Sequence, residues 1–314
     1  MSSASSMNSL TVATAAIFGS LGLLWLYKKL RSQRRRAGLK DKVVLITGAS
    51  SGVGEACAIA FYRLGCKVIL CARRAPELER VKKELMALKL APGIPAHTPH
   101  VIPLDLERLD ELPDKAKEAL ELHGYVDILI NNGGMSGRGS VVDTVLSVHQ
   151  KIMNVNHFGS LVLTSAILPN MISRRSGHIL AVSSIQGRIA IPFRSAYSAS
   201  KHAMQAFFDS LRAEVAEHNI QVTVLSPSYI KTNISLSALD GDGSVHAKMD
   251  STTAGGMSTV YVADKVVDAV AKQQRDVVLG PFTHGAAIYI RALVPNLYFW
   301  IMAGRARKGT KMED

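Results

Sequence analysis

The chain of 314 residues has only three cysteines, and they form no recognisable pattern. Cys57, Cys66 and Cys71 make no CxxC pair and no Cys/His spacing suited to zinc, and an odd number argues against a complete disulfide framework. We therefore expect no metal site and interpret the cysteines as small buried side chains. Reduced thiols fit a domain that faces the cytosol.

The first 27 residues have no charged side chain, although the whole chain has a formal net charge of +12. Residues 28–42 contribute +7 and residues 303–314 contribute +2, which leaves about +3 for the body of the chain. A nucleic-acid-binding domain needs its positive charge gathered on a folded face. The charge distribution therefore predicts no nucleic-acid partner.

An uncharged, mostly apolar run covers residues 10–27 and is followed at once by basic residues. Eighteen such residues are just enough to span a bilayer, and Trp25 and Tyr27 lie where interfacial aromatic residues are expected. A cleaved signal peptide would have its positive charge before the apolar run, not after it. We expect a short tail at 1–9, a single-pass anchor at 10–27, a basic linker at 28–41 and, by the positive-inside tendency, a cytosolic catalytic domain.

From Lys42 onward, β-branched runs alternate with amphipathic stretches, which is typical of βα units that build a parallel sheet. We predict an α/β fold over residues 42–285, a single doubly wound Rossmann domain with seven parallel strands. The predicted strands are Val43–Thr47, Lys67–Ala72, His100–Leu104, Val126–Asn131, His178–Ser183, Gln221–Ser226 and Asp276–Leu279. The predicted helices are Gly54–Leu64, Glu77–Leu88, Asp114–His123, Ser147–Ile172, Ala196–His218 and Val262–Lys272, with a loop at Leu90–Pro99.

A glycine-rich turn joins the first predicted strand to the first predicted helix. Its sequence is Thr-Gly-Ala-Ser-Ser-Gly-Val-Gly over residues 47–54. Glycines let the backbone approach a pyrophosphate closely, and the helix N-terminus stabilises its charge. The alternative is a glycine-rich turn without a ligand, but the strand and helix on either side favour a dinucleotide site. The cofactor-binding candidates in this turn are Gly48, Ser50, Ser51, Gly52, Val53 and Gly54.

No acidic residue follows the second predicted strand, where an NAD-binding protein places one for the ribose 2′-hydroxyl. The chain has Arg73 and Arg74 there instead. A guanidinium group can bind a phosphate through two hydrogen bonds, so the pair predicts NADP(H), with Arg73 as the first choice. The alternative is a solvated arginine pair at the start of a helix.

Tyr197 and Lys201 are four residues apart on a predicted helix and so share one of its faces. A free tyrosine has a pKa of about 10, and a nearby cation favours the phenolate and lowers that value. By itself the YxxxK pattern is weak, since most such pairs lie on protein surfaces. It gains meaning from Ser184, thirteen residues before the tyrosine at the end of the fifth predicted strand.

In this order the TGxxxGxG turn, the Asn131–Gly133 segment, Ser184 and YxxxK resemble the short-chain dehydrogenase/reductase family. The resemblance implies hydride transfer between a nicotinamide and a carbonyl or secondary alcohol, and a homodimer packed through the long helices. It also implies a catalytic Asn156 that holds a proton-relaying water, and cofactor contacts from Asp105, Asn132 and Thr232, together with Tyr197 and Lys201. Gly133 and Ser228 depart from the family pattern, which has alanine and glycine there, and Ser228 would be strained if a positive φ were required.

Longer strings, at residues 183–187, 191–197 and 305–308, resemble a subgroup of that family that has an N-terminal membrane segment. This likeness implies a reductase of the endoplasmic reticulum or peroxisomal membrane that acts on acyl- or alkyl-dihydroxyacetone phosphate. Two alternatives stay open, a steroid or retinoid dehydrogenase and a non-catalytic nucleotide-binding scaffold. The remaining segment, residues 286–314, is predicted to be a hydrophobic helix, from Ala286 to Ala303, and a basic tail. It would contact a membrane, pack in a dimer or cover the substrate pocket.

Overall fold

A computed structural model describes residue 22 and residues 24–310. Its centre is one parallel sheet of seven strands in the order β3-β2-β1-β4-β5-β6-β7. The predicted α/β class, the single domain and the seven strands are confirmed, and predicted strand bounds differ from the observed ones by at most two residues. The strands are β1 (Val43–Thr47), β2 (Lys67–Ala72), β3 (His100–Pro103), β4 (Ile128–Asn131), β5 (Gly177–Val182), β6 (Ile220–Pro227) and β7 (Asp276–Leu279).

Helices cover both faces of the sheet, and several begin two or three residues earlier than predicted. Pro76 and Pro113 lie in the first turns of α3 and α4, where the missing N–H is not needed. The helices are α1 (residues 24–37), α2 (Gly52–Tyr62), α3 (Ala75–Met86), α4 (Leu112–Glu121), α5 (Leu146–Met153), α6 (Gly159–Arg174), α7 (Ser195–Glu214), α8 (Ser251–Ala254), α9 (Thr259–Ala271), α10 (Phe282–Leu293) and α11 (Pro295–Thr310).

Alternating side chains of β1 supply the two hydrophobic cores. Val43 and Leu45 belong to the core beneath α4, α5, α6 and α7. Val44 and Ile46 belong to the core beneath α2, α3 and α9. Because β1 is covered on both faces, it is a continuous apolar run rather than an alternation. Strands β1 to β3 follow one another toward one edge of the sheet, and β4 to β7 follow toward the other edge. This change in strand order between β1 and β4 opens a crevice at the carboxyl ends of the strands.

The long helix predicted from Ser147 to Ile172 is confirmed in extent, since the chain is helical without a break from Leu146 to Arg174. It is not α-helical throughout, because a π-helical turn over Asn154–Phe158 joins α5 to α6. The apolar periodicity does not reveal the extra residue in this turn. Close packing accompanies it, because a Cβ at Gly159 would lie 2.5 Å from the carbonyl oxygen of Leu106. Such π-turns occur mostly at functional sites.

The basic segment predicted as a linker is helical as far as residue 37. Arg36 fixes the end of α1 to α9, with ion pairs of 2.8 Å to Asp264 and 2.7 Å to Asp268. Residues 1–21 and 23, which include most of the predicted anchor, lie outside the described residues. Over residue 22 and residues 24–310, no helix combines the length and the apolar character needed to cross a bilayer.

The C-terminal apolar segment forms two helices instead of the single one predicted. α10 ends at Leu293, and the non-helical Val294 separates it from α11, which begins at Pro295. Tyr298 is buried and donates a hydrogen bond to the carbonyl oxygen of Ala190, and Arg305 donates to the hydroxyl of Tyr229 at 3.0 Å. Since Tyr229 lines the main cavity, α11 lies beside that cavity.

All three cysteines are free and buried, which confirms the interpretation of them as small core side chains. Burial raises the pKa of the Cys57 thiol to about 12, so the reactive thiolate is scarce at neutral pH. No metal-binding group of three or more His, Cys, Asp or Glu side chains exists in the described part of the chain.

His178 in β5 makes stability depend on pH. Burial lowers its pKa from 6.5 to about 4, and its Nε2 lies 2.8 Å from the hydroxyl of Thr223. The unfolded chain therefore binds the extra proton between pH 6.5 and about 4, so stability is full above pH 6.5 and falls as the pH decreases through that window. The loss should reach roughly 3 kcal/mol.

Chemical denaturation at pH 7 and at pH 4.5 measures this contribution. We expect His178→Gln to reduce the difference in unfolding free energy between the two pH values. An unchanged difference would assign the acid sensitivity to other groups.

Candidate active site

A cavity of about 740 Å³ opens at the carboxyl ends of the strands. It extends from the glycine-rich turn before α2 to the start of α7 and the segment after β6. Thirteen of the fifteen predicted site residues line it: Gly48, Ser50, Ser51, Gly52, Val53, Arg73, Arg74, Asp105, Asn132, Ser184, Tyr197, Lys201 and Thr232. The other two, Gly54 and Asn156, are buried and do not line the cavity themselves.

The turn between β1 and α2 is a cradle that only glycines permit. Gly48 and Gly52 have φ of 68° and 62°, which other residues rarely adopt. A Cβ at Gly54 would lie 2.2 Å from the carbonyl oxygen of Gly48. The start of α2 can therefore approach β1 closely, and its free N–H groups face the cavity as an anion site.

The arginines after β2 lie at the edge of this cradle. Arg74 Nη2 donates to the hydroxyls of Ser50 and Ser51 at 3.1 and 3.2 Å. Arg73, the first choice from the sequence, lines the cavity and is exposed. Within the described residues neither arginine forms an ion pair with a carboxylate, whereas the neighbouring Arg80 is engaged by Glu55, Glu77 and Glu84. The structure thus adds Arg74 to the favoured candidates for a phosphate contact.

Thr47 joins the glycine-rich turn to the segment after β4, a role that the sequence did not reveal. Its hydroxyl oxygen accepts hydrogen bonds from the backbone N–H groups of Asn132 and Gly133 at 3.0 and 2.9 Å. The side chain of Asn132 in turn donates to the carbonyl oxygen of Thr47 at 3.0 Å. These bonds fix the end of β4 against the end of β1. The threonine in TGxxxGxG was a signal for this role.

Asn156 lies in the π-helical turn and is fully buried. Its side-chain oxygen accepts from the N–H of Met135 at 2.8 Å. Its amide nitrogen donates to the carbonyl oxygen of Met135 and to the hydroxyl of Ser200, both at 2.9 Å. The side chain therefore fixes the loop after β4 to α7, and its role in a water relay stays a prediction.

Ser184 and Tyr197 meet because a short turn packs tightly on α7. The Ser184 hydroxyl accepts from the N–H of Gln186 at 3.1 Å, which leaves its own proton for another acceptor. Gly187 makes the close approach possible, since a Cβ there would lie 2.8 Å from the carbonyl oxygen of Lys201.

Lys201 lies one helical turn after Tyr197, with its Nζ 5.9 Å from the centre of the tyrosine ring. The same Nζ donates to the carbonyl oxygen of Val182 at 3.0 Å. Burial lowers the pKa of the lysine to about 8. The ammonium is therefore mostly charged at neutral pH, although it is closer to losing its proton than a solvated lysine.

The pKa of Tyr197 differs from the expectation. Burial raises it above 10, while hydrogen bonding with Ser184 and the positive charge of Arg138 act in the opposite direction. The expected net lowering is therefore not observed, because desolvation outweighs the hydrogen bond with Ser184 and the charge of Arg138. A tyrosine with a raised pKa keeps its proton at neutral pH and can donate it. Sequence analysis also missed Arg138, whose contribution depends on contacts with distant parts of the chain.

Four further positions are settled by their contacts. Thr232 faces the glycine-rich turn, 3.4 Å from where a Cβ of Gly52 would lie. Asp105 accepts from the N–H of Glu107 at 3.1 Å, so it both stabilises a turn and lines the cavity. Ser228 does not have a positive φ, so the strain that glycine would relieve is absent. A Cβ at Gly133 would lie 2.6 Å from the side chain of Leu106.

The chain belongs to the short-chain dehydrogenase/reductase family, because the family model described as short chain dehydrogenase matches residues 42–242. It is an oxidoreductase that acts on alcohol or carbonyl groups. It is 53% identical to a dehydrogenase/reductase SDR family protein 7-like of Anopheles gambiae, over 91% of this chain and 90% of that protein. It is 49% identical to dehydrogenase/reductase SDR family member 7B of Bos taurus, over 96% of this chain and 92% of that protein.

The fold also resembles a solved short-chain dehydrogenase from Streptomyces avermitilis, with a TM-score of 0.70 and 26% identity. The match covers 85% of this chain and 98% of that one. Homologues in this family bind NAD or NADP. The glycine cradle, which a single Cβ would fill, and the free N–H groups of α2 fit the pyrophosphate of such a dinucleotide.

Proposed function

We propose that this protein is a membrane-associated, NADPH-dependent carbonyl reductase that acts on a lipid. The observation that supports this most is a single cavity lined by the glycine cradle, two arginines and Tyr197. A non-catalytic scaffold is disfavoured, because such a protein could lose its acid-base groups. All four predicted catalytic residues are present: Ser184, Tyr197 and Lys201 line the cavity, and Asn156 bonds to Met135, which also lines it.

In this mechanism the side chains control a proton beside the reacting carbonyl. A bound reduced nicotinamide supplies the hydride. Tyr197 donates the proton to the carbonyl oxygen, and the hydroxyl group of Ser184 donates a hydrogen bond that stabilises the charge that develops there. Lys201 and Arg138 stabilise the tyrosinate that remains. Asn156 keeps the loop after β4 in place against α7. Oxidation of an alcohol uses the same groups in the reverse order.

The preference for NADPH rests on Arg73 and Arg74, which face the cavity where a 2′-phosphate would lie. We expect Arg74→Met to weaken NADPH binding by about ten- to a hundredfold, since a charge-assisted hydrogen bond is lost. NADH has no 2′-phosphate, so its dissociation constant should change little and serves as the internal control. Titration of the nicotinamide fluorescence measures both. Equal weakening of both cofactors would point to general damage to the cradle.

Association with a membrane is supported by the outer surface of α10 and α11. Phe282, Tyr289, Leu293, Phe299 and Trp300 are each at least half exposed. Residues 282–310 contain four arginines or lysines and no aspartate or glutamate. Apolar and aromatic side chains with basic neighbours are typical of helices that lie in an anionic lipid interface. This surface and the predicted anchor would together hold the cavity near a bilayer of the endoplasmic reticulum or peroxisome.

The two tryptophans of the chain, Trp25 and Trp300, test both membrane contacts. In proteoliposomes with brominated lipids, we expect Trp300 in a Trp25→Phe background to be quenched. Trp25 in a Trp300→Phe background should be quenched as well. Quenching of Trp25 alone would support the anchor and contradict the proposed membrane contact by α10 and α11. Quenching of neither would reject the membrane proposal.

The lipid substrate class rests on the similarity to member 7B proteins and on this membrane-facing surface. Acyl- or alkyl-dihydroxyacetone phosphate is the favoured substrate, and a steroid or retinoid is the alternative. NADPH oxidation by detergent-solubilised protein with palmitoyl-dihydroxyacetone phosphate, a steroid ketone and retinal separates them, with Tyr197→Phe as the control. Turnover of the phosphate lipid alone supports the first class. Turnover of another carbonyl compound would support the mechanism and contradict the phosphate-lipid substrate. Cofactor binding without any turnover would favour the non-catalytic scaffold. We also propose a homodimer, from the family resemblance alone.

A further inference from the structure

Two arginines that are distant in sequence meet in the wall of the reaction cavity. Arg138 lies in the loop between β4 and α5, and Arg194 immediately precedes α7, three residues before Tyr197. Both line the cavity, and their side chains are only 12% and 15% exposed. Cations that are largely buried need nearby anions or hydrogen-bond acceptors, so the partners of this pair decide what it can do.

One carboxylate oxygen serves both guanidinium groups. The Nη2 atoms of Arg138 and Arg194 lie 2.5 and 3.3 Å from Oδ2 of Asp250. Ser235 donates to the same oxygen at 2.8 Å. His246 lies 4.0 Å from the other oxygen of Asp250, and its own short contact is with Asp240. Among the described residues, the two positive charges therefore share one direct negative partner, which leaves the arginine pair with an excess of positive charge.

Each arginine also has a hydrogen-bond donor without an acceptor. The Nε atom of Arg138 and the Nη1 atom of Arg194 are buried and have no partner among the described residues. A buried donor without an acceptor costs free energy, and a guanidinium group offers five donors that suit oxyanions. An oxyanion in the cavity can balance the excess charge and accept from the guanidinium N–H groups that reach the cavity. A neutral ligand can only accept hydrogen bonds.

The arginine pair lines the same cavity as Ser184 and Tyr197, and Arg194 precedes Tyr197 by three residues. The positive charge of Arg138 reaches Tyr197, where it lowers the pKa against the larger effect of burial. Phe193, just before Arg194, has φ of 61°, a left-handed conformation that an aromatic residue rarely adopts. Such strain persists only where the surrounding structure enforces it, often at ligand sites. A group bound by the pair would therefore lie in the same cavity as the carbonyl that Tyr197 protonates.

We propose that Arg138 and Arg194 form an anion subsite that binds a phosphate or carboxylate of the substrate beside its reacting carbonyl. Asp250 balances half of the positive charge before the substrate enters. The inference rests on the proposed reductase function and adds the residues that select a charged substrate over a neutral one.

The test compares matched ketones on the full-length enzyme. Palmitoyl-dihydroxyacetone phosphate, its dephosphorylated neutral form and 4-oxo-octadecanoate distinguish phosphate, no charge and carboxylate. We expect Arg194→Met and Arg138→Met each to lower the ratio of kcat/KM for the phosphate ketone to that for the neutral ketone by about tenfold or more. Arg194→Lys, which keeps the charge, should retain most of the ratio. Arg108→Met, which removes an exposed arginine outside the cavity lining, is the matched control.

A binding measurement does not depend on turnover. Inorganic phosphate is titrated into enzyme saturated with NADPH, so that the cofactor phosphate site is already filled, and the shift in melting temperature is recorded. We expect the shift to shrink in Arg194→Met and to grow in Asp250→Asn. An unchanged kcat/KM ratio together with an unchanged phosphate shift would overturn the subsite. If none of the ketones is reduced but the phosphate shift behaves as expected, the subsite stands and the reductase proposal fails.

Discussion

Replacing Tyr197 with phenylalanine is expected to lower kcat by about 10³-fold or more while NADPH binding stays within about threefold of the wild-type value. Positioned proton transfer contributes about 10² to 10⁴ to enzymatic rates, and this variant removes the only atom that transfers the proton in the proposed mechanism. Tyr197 belongs to α7 and is buried, and the substitution keeps the ring, so the loss of one oxygen leaves the packing intact. Stopped-flow reduction and a fluorescence titration measure the two quantities.

Tyr62 offers a matched control for this substitution. It is another buried tyrosine, only 2% exposed, and it lies at the end of α2 in the core away from the cavity lining. Tyr62→Phe should leave kcat near the wild-type value. If Tyr197→Phe retained full activity, the proton would have to come from another group, and the proposed mechanism would be wrong.

Gly54→Ala should nearly abolish dinucleotide binding and destabilise the domain. Its Cβ would lie 2.2 Å from the carbonyl oxygen of Gly48 and 2.7 Å from the side-chain nitrogen of Asn132. Because backbone atoms cannot move aside as a flexible side chain can, α2 must shift away from β1. Overpacking of this kind costs about 1–3 kcal/mol, and the shift also displaces the N–H groups that bind the pyrophosphate. We expect the dissociation constant for NADPH to rise at least about a hundredfold.

Gly285→Ala is the appropriate comparison, because it makes the same change inside α10. No atom lies within 4 Å of the new methyl group, and alanine favours a helix. Thermal unfolding and cofactor titration of the two variants separate the local clash from the general effect of losing a glycine. Wild-type affinity in Gly54→Ala would show that the pyrophosphate binds elsewhere.

The sequence was sufficient to predict the sheet, because each strand is a short apolar run between turn residues. Most of the predicted site residues do line the cavity, since Gly48, Ser184 and Tyr197 all belong to motifs with fixed spacing. The π-turn was not predictable, because one additional residue hardly disturbs the apolar pattern of a long helix. Arg138 was missed for a different reason. Its neighbour Asp250 lies 112 residues later, and no local pattern connects them.

Because a π-turn joins α5 to α6, we expect that no single residue between Met153 and Gly159 is dispensable. α5 packs chiefly on α7, whereas α6 packs on α4. The π-turn sets the rotation of α6 about the helix axis relative to α5. Removing one residue from it would restore an ordinary helix but rotate one half by about 100° relative to the other. One of the two helix interfaces would then face the wrong way, so a one-residue deletion should be more harmful here than a large substitution on the exposed side of α6.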